Sequence, residues 1–207
     1  MTTEPFRWHE PPFGYVSSRK FEGMVADEYD VKRAEQPKWA WEQGVIESML
    51  DDLPDKSWVL DIPVGTGRFL PYYASRGFVV RGQDISPTML GKAAAKAEGL
   101  GFREAQLTLE EGDARRLDLA DNSVDAALMI RLTRWLTPDE CRKAIAELTR
   151  VARKKVIFTA RTLHQYADLS RPLDLFEVDG WEMRRELFRG LPYEVILMRP
   201  IEGESTL

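Results

Sequence analysis

The stretch VLDIPVGTGRFLPYY at residues 59–73 constrains the fold more than any other part of the chain. Residues 57–62 form an apolar run short enough for a buried strand, Gly65 and Gly67 break it, and a helix follows that closes at Gly77. Pro71 fits only in the first turn of that helix, where its missing N–H has no partner to lose. The same order then repeats. A strand at 78–83 leads into Asp84, and Ser86 and Pro87 supply an N-cap and a first helical residue for a helix that closes near Gly99. Residues 106–111 read as a third strand, and 124–130 as a fourth whose nearly unbroken apolar character suits the middle of a parallel sheet. Thr137, Pro138 and Glu140 spell a capping-box start to a helix with Cys141, Ile145, Leu148 and Val151 inward. Lys154 and Lys155 follow that helix, 156–160 gives a fifth strand, and 181–188 and 193–198 read as two strands joined by a tight turn. Repeated βα units with a terminal hairpin predict an α/β fold: a Rossmann-like doubly wound sheet, mostly parallel with an antiparallel C-terminal hairpin strand, and helices on both faces.

Ahead of this array, residues 1–16 are rich in proline and aromatic side chains without a regular period, so 1–37 is expected to be an N-terminal arm and a candidate lid. A helix is expected at 38–53, with Trp39, Ile46, Met49, Leu50 and Leu53 on its buried face and Trp41 opposite. Residues 38–207 then form one domain, a reasonable size for a single core. The formal net charge of −5 disfavours nucleic acid as a partner. One cysteine, Cys141, and two distant histidines, His9 and His164, leave no metal-ligand set and no internal disulfide. No apolar run approaches the length of a membrane span and the N-terminus lacks the pattern of a secretory signal, so a cytoplasmic location is expected.

Two glycines at the end of the first strand let a ligand lie against the main chain, near the positive end of the next helix. The GTG element is a weak signal by itself. Asp84, 17 residues after Gly67, adds a carboxylate at the end of the second strand, where a ribose diol would sit, and together they indicate a nucleoside. A dinucleotide fingerprint would need a third glycine where Leu70 stands, so a pyrophosphate fits this turn poorly.

With these landmarks in order, the chain resembles the class I S-adenosylmethionine-dependent methyltransferase family, in its small-molecule-type members, over residues 29–199. The resemblance implies S-adenosyl-L-methionine as cofactor and methyl transfer to an unidentified, small-molecule acceptor. DIPVGTG matches the family's first motif, which implies that Asp61, Gly65 and Gly67 contact the cofactor's amino acid portion and sulfonium side. Pro63, where many relatives carry glycine, is a variant that stiffens the loop. Asp84 is implied to bond the ribose hydroxyls and Ile85 to pack on adenine, while in EGDARRL Asp113 would accept from the adenine amino group and the Ala114 amide would face the ring. Met129, Ile130 and Arg131 are implied to approach the cofactor and acceptor, and EYDVKRA puts Tyr29 and Arg33 near the cofactor carboxylate. The segment IRLTRWLT departs from many relatives after the fourth strand and leaves the acceptor class open. An amino-methylating Asn or Asp, Pro, Pro, aromatic signature is absent there, which disfavours base or glutamine amide methylation by that route.

Plainer readings stand beside each of these. Asp61 can hold its own loop while touching cofactor, Asp84 can be a turn residue, and Asp113 an exposed loop carboxylate among many acids. Tyr29 and Arg33 can instead pin the preceding segment to the domain. Arg131, Arg134 and Arg161 follow strand ends at the expected active face, placed either to hold an anionic acceptor through forked hydrogen bonds or to make surface ion pairs. Trp41, with Trp8, Phe13 and Tyr15, forms a lid, packs the arm on the domain, or makes a dimer contact. No side chain stands out as the catalytic base; Arg131 and His164 are the candidates, and Cys141, on an inward helix face, reads as a small hydrophobe. Residues 1–37 and 161–180 are the candidates for covering the acceptor. A cofactor-binding protein that does not methylate, or one that uses the sulfonium for another reaction, remains the alternative.

Overall fold

A computed structural model describes residues 36–103, 105–161, 173–189 and 193–201. In chain order the elements are α1 (Pro37–Leu50), β1 (Trp58–Asp61), α2 (Leu70–Ser75), β2 (Val79–Asp84), α3 (Pro87–Ala97), β3 (Leu107–Glu111), β4 (Val124–Met129), α4 (Pro138–Val151), β5 (Ala152–Ala160), β6 (Trp181–Leu187) and β7 (Glu194–Pro200), with short 3₁₀ turns at Thr133–Trp135 and Leu173–Phe176. The seven strands make one sheet in the order β3-β2-β1-β4-β5-β7-β6. The first five are parallel, and β7 runs antiparallel to both neighbours. The predicted terminal hairpin is present. Its last strand, β7, slots in beside β5, which leaves β6 on the edge with Glu182, Arg184 and Glu186 available to discourage further pairing.

The central strands are apolar on both faces over most of their length because each face of the sheet has its own core. Leu60, Ala127, Met129, Val156, Phe158, Ile196 and Met198 point toward α4, where they meet Ile145 and Leu148. Their alternating neighbours Val59, Ala126, Leu128, Ile157, Val195 and Leu197 point the other way, toward Ile46 and Leu50 of α1 and Leu70 and Tyr73 of α2. Each fully buried Leu, Ile or Phe stabilises the fold by roughly 1.5–3 kcal/mol relative to exposure, so these two layers fix strand register against a slip that would exchange the faces.

The local signals act as their chemistry requires. The capping box forms at α4: Glu140 N–H donates to Thr137 Oγ1 at 3.3 Å and Thr137 N–H donates to Glu140 Oε2 at 2.9 Å. Ser86 caps α3 by accepting from Met89 N–H. Two boundaries and one side-chain orientation differ from expectation. Strand β5 begins at Ala152, so Lys154 and Lys155 lie inside it; Lys155 is buried, donating to the Met49 carbonyl at 2.7 Å and pairing with Asp52, which ties the end of α1 to the sheet. Leu53 lies past the end of α1 yet is buried. Trp41 does not project away from the body; it is half-buried against Phe188, ring centroids 5.2 Å apart.

Candidate active site

Strands β1, β2 and β4 end on one side of the sheet, and the loops that leave them border a cleft open to solvent. The loop after β1 is built backwards onto β2: Val64 N–H donates to the Gln83 carbonyl at 2.8 Å and Gly65 N–H donates to Asp84 Oδ2 at 2.9 Å. Gly65 and Gly67 have φ of +57° and +74°, in the left-handed region, so the turn depends on the absence of a β-carbon. They differ in surroundings. A β-carbon on Gly65 would meet nothing within 4 Å, since it faces the cleft, whereas one on Gly67 would meet Leu70 and the Ala93 backbone. Gly67 therefore shapes the loop from behind, and only Gly65 of the pair lines the cleft.

Two carboxylates face this space. Asp84 is almost wholly buried and accepts from Gly65 N–H and, at 2.9 Å, from Ser86 N–H. Burial raises its pKa to about 6, against the pull of those backbone donors. Asp61 is also buried, and burial raises it further, to about 7, although the Tyr73 hydroxyl donates to it at 3.2 Å. Beside Asp84 the Ile85 side chain is 45% exposed and lines the cleft, with Pro63 and Ile130. Asp61 and Asp84 thus hold the surrounding structure and line the cleft as well.

The cleft continues past Pro63, Ile85, Leu132 and Trp135 into a second cavity, open to solvent, that contains Asp113 and Ala114. Asp113 is no isolated loop carboxylate. Arg115 donates to both of its oxygens, at 2.9 Å to Oδ1 and 2.5 Å to Oδ2, and also binds Glu140. Met129 corrects the expectation for the end of β4: its side chain is fully buried against α4, and its neighbour Ile130 is the one that reaches the cleft. Alternation allows only one of the two to do so.

Arg131 lies between the cleft and a third, small cavity open to solvent, lined also by Lys38, Thr133, Arg134, Thr159, Arg161 and Tyr193. Its φ of +64° is uncommon for arginine, and two bonds hold it there: its N–H donates to Thr159 Oγ1 at 2.7 Å and its Nε donates to Glu42 at 2.9 Å. Glu42, fully buried on α1, also accepts from Arg68 and from the Tyr193 hydroxyl. Burial and the Glu42 charge push the Tyr193 hydroxyl far above its usual range, so it stays a donor. The Thr159 hydroxyl bonds to the Tyr193 oxygen, which closes a ring through Arg131, Thr159, Tyr193 and Glu42.

The sequence reading missed Glu42, Arg68 and the cleft-facing role of Trp39, whose ring carries the Arg68 guanidinium at 3.6 Å and that of Arg131 at 4.6 Å. One signal pointed to Glu42: it occupies the buried helical stripe of Trp39, Ile46 and Met49, where an acid needs partners. The expected arrangement of Arg131, Arg134 and Arg161 does come together, around the third cavity. Tyr29, Arg33, His9, His164 and the aromatic residues of the arm lie outside the described residues. No His, Cys, Asp or Glu cluster fit for a metal occurs among the described residues, and no helix among them is long and apolar enough to cross a membrane.

Comparison with known proteins agrees with this geometry. Residues 59–155 match the family described as Methyltransferase domain. Phosphatidylethanolamine N-methyltransferase of Cereibacter sphaeroides is 36% identical over 96 residues, 46% of this chain and 45% of that protein. Malonyl-[acyl-carrier protein] O-methyltransferase of Hamiltonella defensa is 31% identical over 108 residues, 52% of this chain and 38% of that protein. The chain thus spans less than half the length of these relatives. Among solved structures, magnesium protoporphyrin IX methyltransferase from Synechocystis with bound S-adenosylhomocysteine superposes with a TM-score of 0.72 at 16% identity, covering 90% of this chain and 98% of that one. Residues 59–155 are thus similar to the methyltransferase-domain family, and the chain has the Rossmann-like fold seen in that solved methyltransferase.

Proposed function

We propose that the protein is an S-adenosylmethionine-dependent methyltransferase acting on a small-molecule acceptor that carries an anionic group. The observation that carries the reading is Asp84 beside Ile85: a buried carboxylate with acceptor capacity left after two backbone bonds, next to an exposed isoleucine at the same cleft. The first suits the hydroxyls of a ribose and the second the face of a base. Asp61, a short distance along the same cleft wall, suits an ammonium group, which would favour its ionised form. Asp113 and Ala114 suit the adenine edge, and Gly65 leaves the main chain open to a close approach. This donor and acceptor set fits the cofactor, with Pro63 and Ile130 as apolar walls.

The cofactor, when bound, supplies an electrophilic methyl group. The chain's own contribution is to align the acceptor, to exclude water behind Trp135, Leu132 and Ile130, and to fix Arg131 at the boundary between cleft and third cavity. The relatives named above act on a lipid amine and on an acyl group, which supports a small acceptor without selecting the atom methylated. The cationic side chains around the third cavity support the anionic group. We place the enzyme in the cytoplasm, consistent with its lone, buried cysteine.

The test is incubation with methyl-labelled cofactor and a metabolite extract, followed by mass spectrometry. Label should appear in a small molecule, and less of it with Asp84→Ala at subsaturating cofactor. Tight binding of the cofactor with no labelled product from any extract would instead identify a binding protein.

A further inference from the structure

The third cavity has a lining of one electrostatic sign. Lys38 comes from the first turn of α1, Arg131 and Arg134 from the segment after β4, and Arg161 from the end of β5, and no Asp or Glu side chain joins them among the described residues. Glu42, the described acid that acts on Lys38, is already committed to Arg68, Arg131 and Tyr193. The hydroxyls are committed too: Thr133 donates to the Thr159 carbonyl at 2.8 Å, and Thr159 and Tyr193 are spent on the ring that holds Arg131. Among the described residues, the charged side chains that line the space are thus all cationic, with Lys38 and Arg161 on opposite elements of it.

The effect of this crowding shows at Lys38. Lys38 lies at the positive end of a 14-residue helix, the end that disfavours a cation. Its ammonium sits over the Tyr193 ring, 3.1 Å from the centroid, and makes no ion pair with a described residue. Burial, followed by the repulsion of Arg131, lowers its pKa to about 8; Arg161 and Arg134 add to the repulsion and Glu42 opposes it. In a chain whose net charge is −5, cations are collected here against the overall balance. Guanidinium forks of this kind match the paired oxygens of carboxylate and phosphate.

We propose that the cavity bounded by Lys38, Arg134 and Arg161 is the oxyanion subsite of the acceptor, taking a carboxylate or phosphate group while Arg131 marks its border with the cleft. The proposal rests on the methyltransferase reading only for the word acceptor; the site itself follows from its lining. It turns the general expectation of an anionic acceptor into named ligands, with Lys38 the one that no strand-end pattern reveals.

The test is titration calorimetry on the full chain in the presence and absence of S-adenosylhomocysteine, with malonate, acetate and glycerol phosphate as probes and malonamide as the uncharged control. At least one anion should bind and malonamide should not. Arg161→Gln and Lys38→Gln should each weaken that anion at least tenfold, with affinity for S-adenosylhomocysteine held within twofold; two variants keep the test intact if one fails to fold. The ranking of malonate against glycerol phosphate tells carboxylate from phosphate. Anions that ignore a protein competent for S-adenosylhomocysteine, or that bind both variants as well as the parent, overturn the subsite and leave methyl transfer standing. Anion binding lost in the variants, in a protein that never takes S-adenosylhomocysteine, keeps the subsite and overturns the methyltransferase reading.

Discussion

Replacing Asp61 by asparagine should stabilise the ligand-free protein at alkaline pH and, in the same stroke, weaken its grip on cofactor. The carboxyl is 2% exposed, and burial lifts its pKa from 3.8 to about 7. A rise of that size corresponds to roughly 4 kcal/mol, at about 1.4 kcal/mol per pH unit. The sign follows from proton binding. Below about pH 4 the carboxyl is protonated in both folded and unfolded chains and costs nothing. Between about pH 4 and pH 7 the folded state binds the extra proton, so stability falls as pH rises, and above about pH 7 the full penalty is in place. The asparagine would carry no such penalty but would need an acceptor for its amide, a cost of about 1–2 kcal/mol. Asp61→Asn should therefore gain roughly 2–3 kcal/mol near pH 8 and gain nothing, or lose about 1–2 kcal/mol, near pH 4. Urea unfolding of both proteins at the two pH values measures the difference directly. A difference that does not change with pH would refute the argument, since it would mean that Asp61 does not titrate out of place in the folded chain.

The two loop glycines should fail in different ways. Gly65→Ala meets open space and should cost about 1 kcal/mol of backbone strain while abolishing close approach of the cofactor, whereas Gly67→Ala adds a clash with Leu70 and the Ala93 backbone and should cost about 2–4 kcal/mol in thermal unfolding. Glu42→Ala strands Arg68 and Arg131 inside the protein and should lower stability by about 3–5 kcal/mol by urea denaturation. Thr137→Ala should cost only about 1 kcal/mol, the value of the lost cap, with cofactor binding by calorimetry unchanged.

Much of this architecture can be read from the chain because its signals are local. Apolar strands such as 124–129, glycines at strand ends and the Thr137 capping box each act within a few residues, so element order and sheet class follow. Asp84 and Ile85 are legible for the same reason, being adjacent and anchored to a strand end. What escapes is what the fold assembles from afar. Glu42 meets Arg68, Arg131 and Tyr193 across 26, 89 and 151 residues, and nothing near it in sequence announces them. Met129 shows a subtler limit: alternation requires that it and Ile130 face opposite ways, but only the packing of α4 decides which one reaches the cleft. Trp39 likewise satisfies the helical stripe while its ring serves two guanidinium groups.

Titrating the folded protein with S-adenosylhomocysteine, parent and Asp84→Ala side by side, tests the central claim most directly. The account predicts one bound nucleoside per chain and a loss of about 1–3 kcal/mol, about fivefold to over a hundredfold in affinity, when the buried carboxylate is removed. A folded parent that takes up no ligand at millimolar concentration, or a variant that binds as tightly as the parent, would contradict it.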